Sequence, residues 1–369
     1  MKQAFKTMMS ITTTRIGVVF ALFVPLLFVL LWMTGYQDAT QRIDRLQVAI
    51  VNEAGEAGAA ISQQIETSAP FGTEIVADLD QAVSAMDSGD YSMVIRIPAD
   101  FAASLQQGSA KLVYTINQGT SEVAAAMMEG AASQLTEGMN TAIAGGSANM
   151  PVQAEIVKTH DQSNFAVTML PMILGFIPYI AMMTMNIQFN ITAQIMKHRT
   201  GKWAIFWSRQ LLLLLISAAA PLVIVSVARL FVEPAAPLWS MWLMLSCVFL
   251  ASACLTQMSF ALLGNVAPLF NVALVPLQLM TAGNIIPAAM LAPFYRHLGS
   301  FLPAPNGIQG FMRLIYNGGG AGVFVWHLLL IALVTWAITL LRTYLQPANL
   351  VPASAAQQTG APGKPSAAH

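Results

Sequence analysis

The chain has 369 residues with 17 basic and 17 acidic side chains; 56% of it is apolar, 9% is charged, and its mean hydropathy is +0.61. That composition excludes a soluble globular enzyme and a basic nucleic-acid-binding protein, and puts most of the chain in a membrane. Charge is unevenly spread: sixteen of the seventeen acids lie between Tyr36 and Phe165, and the other is Glu233.

In chain order, the first apolar run is Ile16 to Met33, preceded by Lys2, Lys6 and Arg15. Its length exceeds the core of a signal peptide and no small-x-small cleavage pattern follows, so it reads as an uncleaved anchor. Residues 1–35 are thus a cytoplasmic N-terminus and a first transmembrane helix.

Residues 36–165 form an extracytoplasmic domain. Against its sixteen acids stand only Arg42, Arg45, Arg96, Lys111 and Lys158, a net charge of −11, which repels nucleic acid and anionic headgroups. Short alternating runs and helical stretches take turns along it. Strands are predicted at Leu46 to Asn52, Thr73 to Ala77, Tyr91 to Ile97 and Lys111 to Asn117. Helices are predicted at Glu56 to Glu66, Asp80 to Met86 and Ala99 to Gln107, the last opened by Pro98, and from Ser121 to Thr141 with Thr120 as cap. The sum is a small α/β domain, with Gly145 to Met150 as a flexible exit back to the bilayer. It has no cysteine, one histidine (His160) and no carboxylate pair that stands out, so its acids read as a solvated surface.

Residues 166–345 carry five more runs: Val167 to Ile187, Ala204 to Val232, Leu238 to Leu263, Leu269 to Met290 and Val323 to Leu341. Each can supply the about 20 apolar residues that cross about 30 Å of hydrocarbon. The fold class is therefore an α-helical integral membrane protein of six transmembrane helices, with the α/β domain inserted between helices 1 and 2. Bases gather before the first span and at Lys197, Arg199, Lys202 and Arg209, which places both ends of the chain in the cytoplasm and residues 36–165 outside. Arg229 and Glu233, four apart at the end of the third span, are expected to form a local ion pair. Cys247 and Cys254 read as reduced packing residues, and residues 346–369, rich in Ala, Pro, Ser and Gln, as a disordered cytoplasmic tail.

The spans contain no Asp or Glu, which argues against a proton-driven pump. Asn186, Asn190, Asn271, Gln278 and Asn284 are polar points beside Pro171, Pro178, Pro268, Pro276 and Pro287, and are the candidates for a translocation path through broken helices. His327, the one histidine within a span, reads as an interface residue. Between Phe294 and Arg313, Arg296, His297 and Arg313 run against the positive-inside trend and suggest an interfacial element, which Pro303 and Pro305 would divide in two. No G-x-x-x-x-G-K-[ST] occurs, so the chain has no ATPase motif of its own.

Several stretches carry a family likeness. VAIVNEAG (Val48 to Gly55), YSMVIRIPADFAASL (Tyr91 to Leu105) and KLVYTINQGTSEVAAAM (Lys111 to Met127) resemble the external domain of ABC-2 type membrane proteins, in particular the phage-infection-protein-like branch. MKHRTGKWAIFWSRQ (Met196 to Gln210) sits where those proteins place a cytoplasmic coupling segment. Asn284 to Gly320 resembles their loop before the last span, which carries a re-entrant helical hairpin. The resemblance implies the permease subunit of an exporter for an amphipathic, lipid-like or drug-like substrate. It also implies a second permease subunit and a separate ATPase subunit that carries ATP and Mg and docks on Lys197, His198, Arg199 and Lys202. A periplasmic adaptor is a further partner of that kind, and the bacterial plasma membrane the expected location. Here those four coupling residues have no acidic neighbour, unlike many relatives. The alternative is a non-transporting surface receptor or scaffold of the phage-infection-protein type.

Overall fold

The structure is a computed structural model that describes residues 26–27, 29–31, 33–36, 38–119, 121–144, 151–159, 165–197, 200–317 and 320–346. Most of the first expected span, His198, Arg199, Thr120, the Gly145 to Met150 exit and the tail from Pro347 onward lie outside them.

An α/β unit occupies the first half. Strands β1 (Gln47–Asn52), β2 (Gly72–Val76), β3 (Met93–Ile97), β4 (Ala110–Asn117) and β5 (Val152–Thr159) form one sheet in the order β2-β1-β3-β4-β5. β1 is parallel to β2 and β3, β3 is antiparallel to β4, and β4 is parallel to β5. Helices α1 (Glu56–Ser68), α2 (Leu79–Asp87), α3 (Phe101–Gln106) and α4 (Glu122–Ala144) make the connections. The alternation of β1, β3 and β4 is what builds the core: Val48, Ile50, Met93, Ile95, Leu112, Tyr114 and Ile116 pack with Ile65, Phe101 and Met128. Pro98 opens a turn, its carbonyl accepting from Phe101 N–H, rather than the first turn of α3 itself. At the start of α4, Ser121 Oγ accepts from Ala124 N–H at 3.1 Å and acts as the cap.

β5 was not expected. It is an edge strand exposed along most of its length, so it lacks the one-sided apolar alternation that marks β1 and β4. Its start is pinned by Asn140 of α4. The side chain of this buried residue donates to Val152 O at 2.7 Å and accepts from Val152 N–H at 2.9 Å.

Tyr114 lies wholly inside this unit, with its hydroxyl 2.9 Å from Thr136 Oγ1. Burial pushes its phenol up to about 12, with the hydrogen bond pulling the other way. A phenol raised in the folded state contributes fully below its unfolded value of about 10, and that contribution is lost as pH rises toward about 12, at about 1.4 kcal/mol per unit. Tyr114→Phe should therefore cost about 1 kcal/mol near neutral pH. It should also flatten the decline of melting temperature of the full chain above about pH 10, the two slopes being compared in the same detergent.

The second half is a helical bundle: α5 (Phe165–Met196), α6 (Lys202–Ala228), α7 (Leu238–Leu263), α8 (Ala267–Met280), α9 (Pro293–Ser300), α10 (Pro303–Met312) and α11 (Gly322–Leu345). Among the described residues, four segments are long and apolar enough to cross a membrane: Thr168–Met196, Lys202–Ala228, Leu238–Met280 and Gly322–Leu345. The stretch containing α7 is the axis of the bundle, with 61% of its most apolar window buried against 22% for α6. α7 packs on α5, α6, α10 and α11, whereas α6 turns Leu211, Leu214, Leu215 and Val223 outward.

Two boundaries differ from expectation. The run Leu269 to Met290 is helical only to Met280, because Gly283 adopts a φ of 78° and Pro287 follows. At about 1.5 Å per residue, the 14 residues of α8 reach about 21 Å, short of a full crossing. Arg229 and Glu233 form no ion pair: α6 ends at Ala228, so the helical spacing that would bring them together is gone. Cys247 and Cys254 are buried free thiols within the bundle core, as expected of packing residues.

Candidate functional site

The element from Phe294 to Arg313 is divided in two just before Pro303, which forms the first turn of α10, while Pro305 lies inside that turn without breaking it. α10 is buried along almost its whole length and packs on α5, α7 and α11. A helix with this much polar backbone and few large side chains penetrates so deeply because its polar groups are answered. Asn306 Nδ2 donates to Ser300 O at 2.9 Å and Leu302 O at 2.8 Å, and its Oδ1 lies 3.2 Å from His327 Nδ1 of α11. Gln278 Oε1 accepts from Ala304 N–H at 3.0 Å, and Gln309 Nε2 donates to Ala282 O at 2.6 Å. His327 is thus an interface residue of the hairpin.

α9 is amphipathic. Arg296 and His297 are exposed beside Phe294 and Phe301, while Tyr295 OH lies 2.5 Å from Thr34 Oγ1. Arg313 is elsewhere, at the junction of the bundle with the α/β unit. Its guanidinium is 5.0 Å from the Phe324 ring, Nη1 donates to Gly320 O at 3.2 Å, and it lines a cavity of about 230 Å³ with Asp87, Gly89 and Asp90. Around it, Asn317 Nδ2 donates to Asp87 O, Arg42 Nη1 donates to Met290 O at 2.7 Å, and Met290 inserts into the core of the α/β unit. These contacts join the segment after α8 to the α/β unit, and sequence reasoning missed Arg42, Met290 and Asn317. No local pattern marks them, since each partner is more than 200 residues away in the chain.

The five polar path candidates fall in three places. Asn186 of α5 is buried, donating to Ala253 O at 3.0 Å and Thr256 Oγ1 at 2.7 Å and accepting from Arg209 Nη2 at 2.6 Å. Asn190, one turn further, lines a cavity of about 320 Å³ at the end of the bundle away from the α/β unit, together with Lys197, Lys202 and Arg209. Asn271 and Gln278 lie inside α8; the carbonyl of Asn271 accepts from Tyr179 OH at 2.9 Å, and its amide and Gln278 Nε2 have no partner. Asn284 lines a third cavity, of about 350 Å³, with Glu122, Glu129 and Tyr316 near the α/β unit.

Of the four coupling candidates, Lys197 is exposed at the end of α5, and His198 and Arg199 lie outside the described residues. Lys202 opens α6, and its Nζ donates to the carbonyls of Thr343, Tyr344 and Gln346 at 3.1, 3.1 and 2.5 Å. It therefore closes the C-terminus of α11, where a cation is favoured by the unpaired carbonyls. Arg209, read from the sequence only as part of a basic loop, turns inward. The visible signal was a guanidinium at the sixth position of the apolar run Ala204 to Val232, which has no acid to meet it. Among the described residues, no group of three or more His, Cys, Asp or Glu side chains could hold a metal ion.

Residues 15–341 match the family model described as ABC-2 family transporter protein. The chain is also 25% identical over 198 residues to Uncharacterized protein YhgE of Bacillus subtilis (strain 168), a match that covers 53% of this chain and 25% of that protein, so the chain spans about a quarter of its length. No solved structure matches it significantly.

Proposed function

Because the chain belongs to the ABC-2 family transporter proteins, we propose that this multi-pass membrane protein is the permease subunit of an exporter that moves an amphipathic, lipid-like or drug-like substrate out of the cytoplasm or inner leaflet. A separate ATPase subunit, carrying ATP and Mg, supplies the energy, and a second permease subunit faces this one. The first span adds a helix to the four described crossings, and α8 with the segment that follows it to Met290 returns the chain to the α/β unit. Both chain ends then lie in the cytoplasm of a bacterial inner membrane and the α/β unit outside, where an adaptor meets it.

The observation that carries the reading is the family match over residues 15–341. The geometry supports it. Lys202 ties the start of α6 to the end of α11, so a push on the loop after Lys197 reaches both helices. α6 packs mainly on α7 and little on α5, which leaves it free to shift against the rest. The hairpin and the α/β unit, joined through Arg42 and Asn317, would respond together at the opposite end.

Purification of the tagged chain from its native host in mild detergent, with mass spectrometry of what accompanies it, tests this. Recovery of a Walker-motif ATPase in near-equal amount is the expected result. Repeated recovery of this chain alone would replace the exporter with the receptor or scaffold reading.

A further inference from the structure

The carboxylates of the described bundle come down to Glu233, which follows α6 at the end of that helix farthest from Arg209. Arg209 itself turns into the bundle and is half-buried. Its Nη2 meets the neutral amide of Asn186, its guanidinium carbon stands 5.8 Å from the Phe189 ring, and its Nε is buried without a partner. A guanidinium partly withdrawn from water without an anion is held at a cost that an amide oxygen and a ring face return only in part. Beside it is the cavity of about 320 Å³, whose rim carries Lys197 and Lys202 and whose other polar lining is neutral, including Asn190, Gln257 and Thr339. The charge of this cavity is positive and incomplete.

A second cavity lies about one turn further along the same three helices, Gln210, Cys254 and Trp336 following Arg209, Gln257 and Thr339 of the first. Gln210, the next residue after Arg209, begins a pocket of about 300 Å³ lined by Leu213, Leu214, Leu250, Leu333 and Trp336. It lies between α6 and α11, which meet chiefly through Lys202 at the end of α11, and α7 forms its floor. Leu214 and Leu333 are more than half exposed, so this groove faces the hydrocarbon. A cationic seat at one end of the bundle, followed by an apolar groove open to the side, has the shape and polarity of an anionic amphipath.

We infer that Arg209, with Lys197 at the rim, seats the phosphate of an anionic phospholipid whose acyl chain lies in the groove between α6 and α11. Phosphate suits the guanidinium because its planar N–H groups can bond two oxygens at once, which an amide cannot match. The apolar continuation selects a lipid over free phosphate. The site requires no turnover, so it stands or falls separately from the export reading.

Native mass spectrometry of the full chain in non-ionic detergent, with equal amounts of phosphatidylglycerol and phosphatidylcholine, tests the assignment. Wild type should retain one phosphatidylglycerol per chain with roughly ten-fold preference over phosphatidylcholine. Arg209→Gln should lose that preference and Arg209→Lys keep part of it. Leu333→Trp, which fills the groove from its exposed side and leaves the buried polar groups intact, should lower retention even if Arg209→Gln fails to fold. Equal retention of both lipids by wild type would overturn the site. So would unchanged preference in both Arg209→Gln and Leu333→Trp. Displacement of the lipid by millimolar inorganic phosphate would overturn the lipid assignment in favour of a free-anion site.

Discussion

Gly175→Val is expected to leave little folded protein, because position 175 is where α5 and α10 touch backbone to backbone. A Cβ at Gly175 would meet the backbone nitrogen of Ile308 and stand 2.5 Å from its Cγ1. On the other helix, a Cβ at Gly307 would stand 3.0 Å from Gly175 Cα and 2.9 Å from Val248 Cγ2. Backbone cannot move aside as a flexible side chain can, so α10 must back out. It would then carry Asn306 away from His327 and Ala304 N–H away from Gln278. Overpacking of this kind costs about 3 kcal/mol, and the lost polar contacts add about 1 kcal/mol each. Gly307→Val should behave alike. The comparison is Gly138→Ala on the exposed face of α4, where a Cβ meets nothing and stability should hold or rise slightly. Melting temperatures and monodisperse yield in one detergent decide it: a Gly175→Val protein that melts with wild type would show that α10 is not wedged against α5.

That wedge also marks the limit of what the sequence discloses. β1, β3 and β4 were legible because each buries one face, and the alternation of Val48, Ile50, Met93, Ile95, Leu112 and Tyr114 records it. β5 left no such record because it buries almost nothing beyond Val152. The long spans were legible from length alone. α10 was expected as one arm of a re-entrant hairpin, from the family likeness of Asn284 to Gly320 and the break at Pro303 and Pro305, but the residues themselves suggested only an interfacial element. Its depth depends on hydrogen bonds with Gln278 and His327, which lie 26 and 21 residues from their partners in the chain, contacts that no local period encodes. Lys202 and Arg209 were visible as charges, yet whether each faces water, a helix end or a cavity depends on where α7 and α11 pack.

The same distinction divides the basic loop into two roles that one experiment can separate. Lys197 is exposed and bonds no carbonyl, and Arg199 follows in the same cationic run, so Lys197→Glu with Arg199→Glu should leave the fold and its melting temperature close to wild type. If the loop is the docking element for an ATPase, that double change reverses its charge and should reduce the copurified ATPase by roughly ten-fold or more. Lys202→Glu should act differently. It removes three bonds to the end of α11 and sets a carboxylate against carbonyls already bearing partial negative charge, which costs about 2 kcal/mol. Lys202→Met, which keeps the aliphatic stem but not the charge, should fall between. ATPase loss in the Lys202 variants would therefore follow their loss of stability, whereas in the Lys197 and Arg199 variant it should occur in a protein that is still fully folded. Full copurification of the ATPase with that double variant would remove the loop from the docking surface and leave Lys202 with its structural role alone.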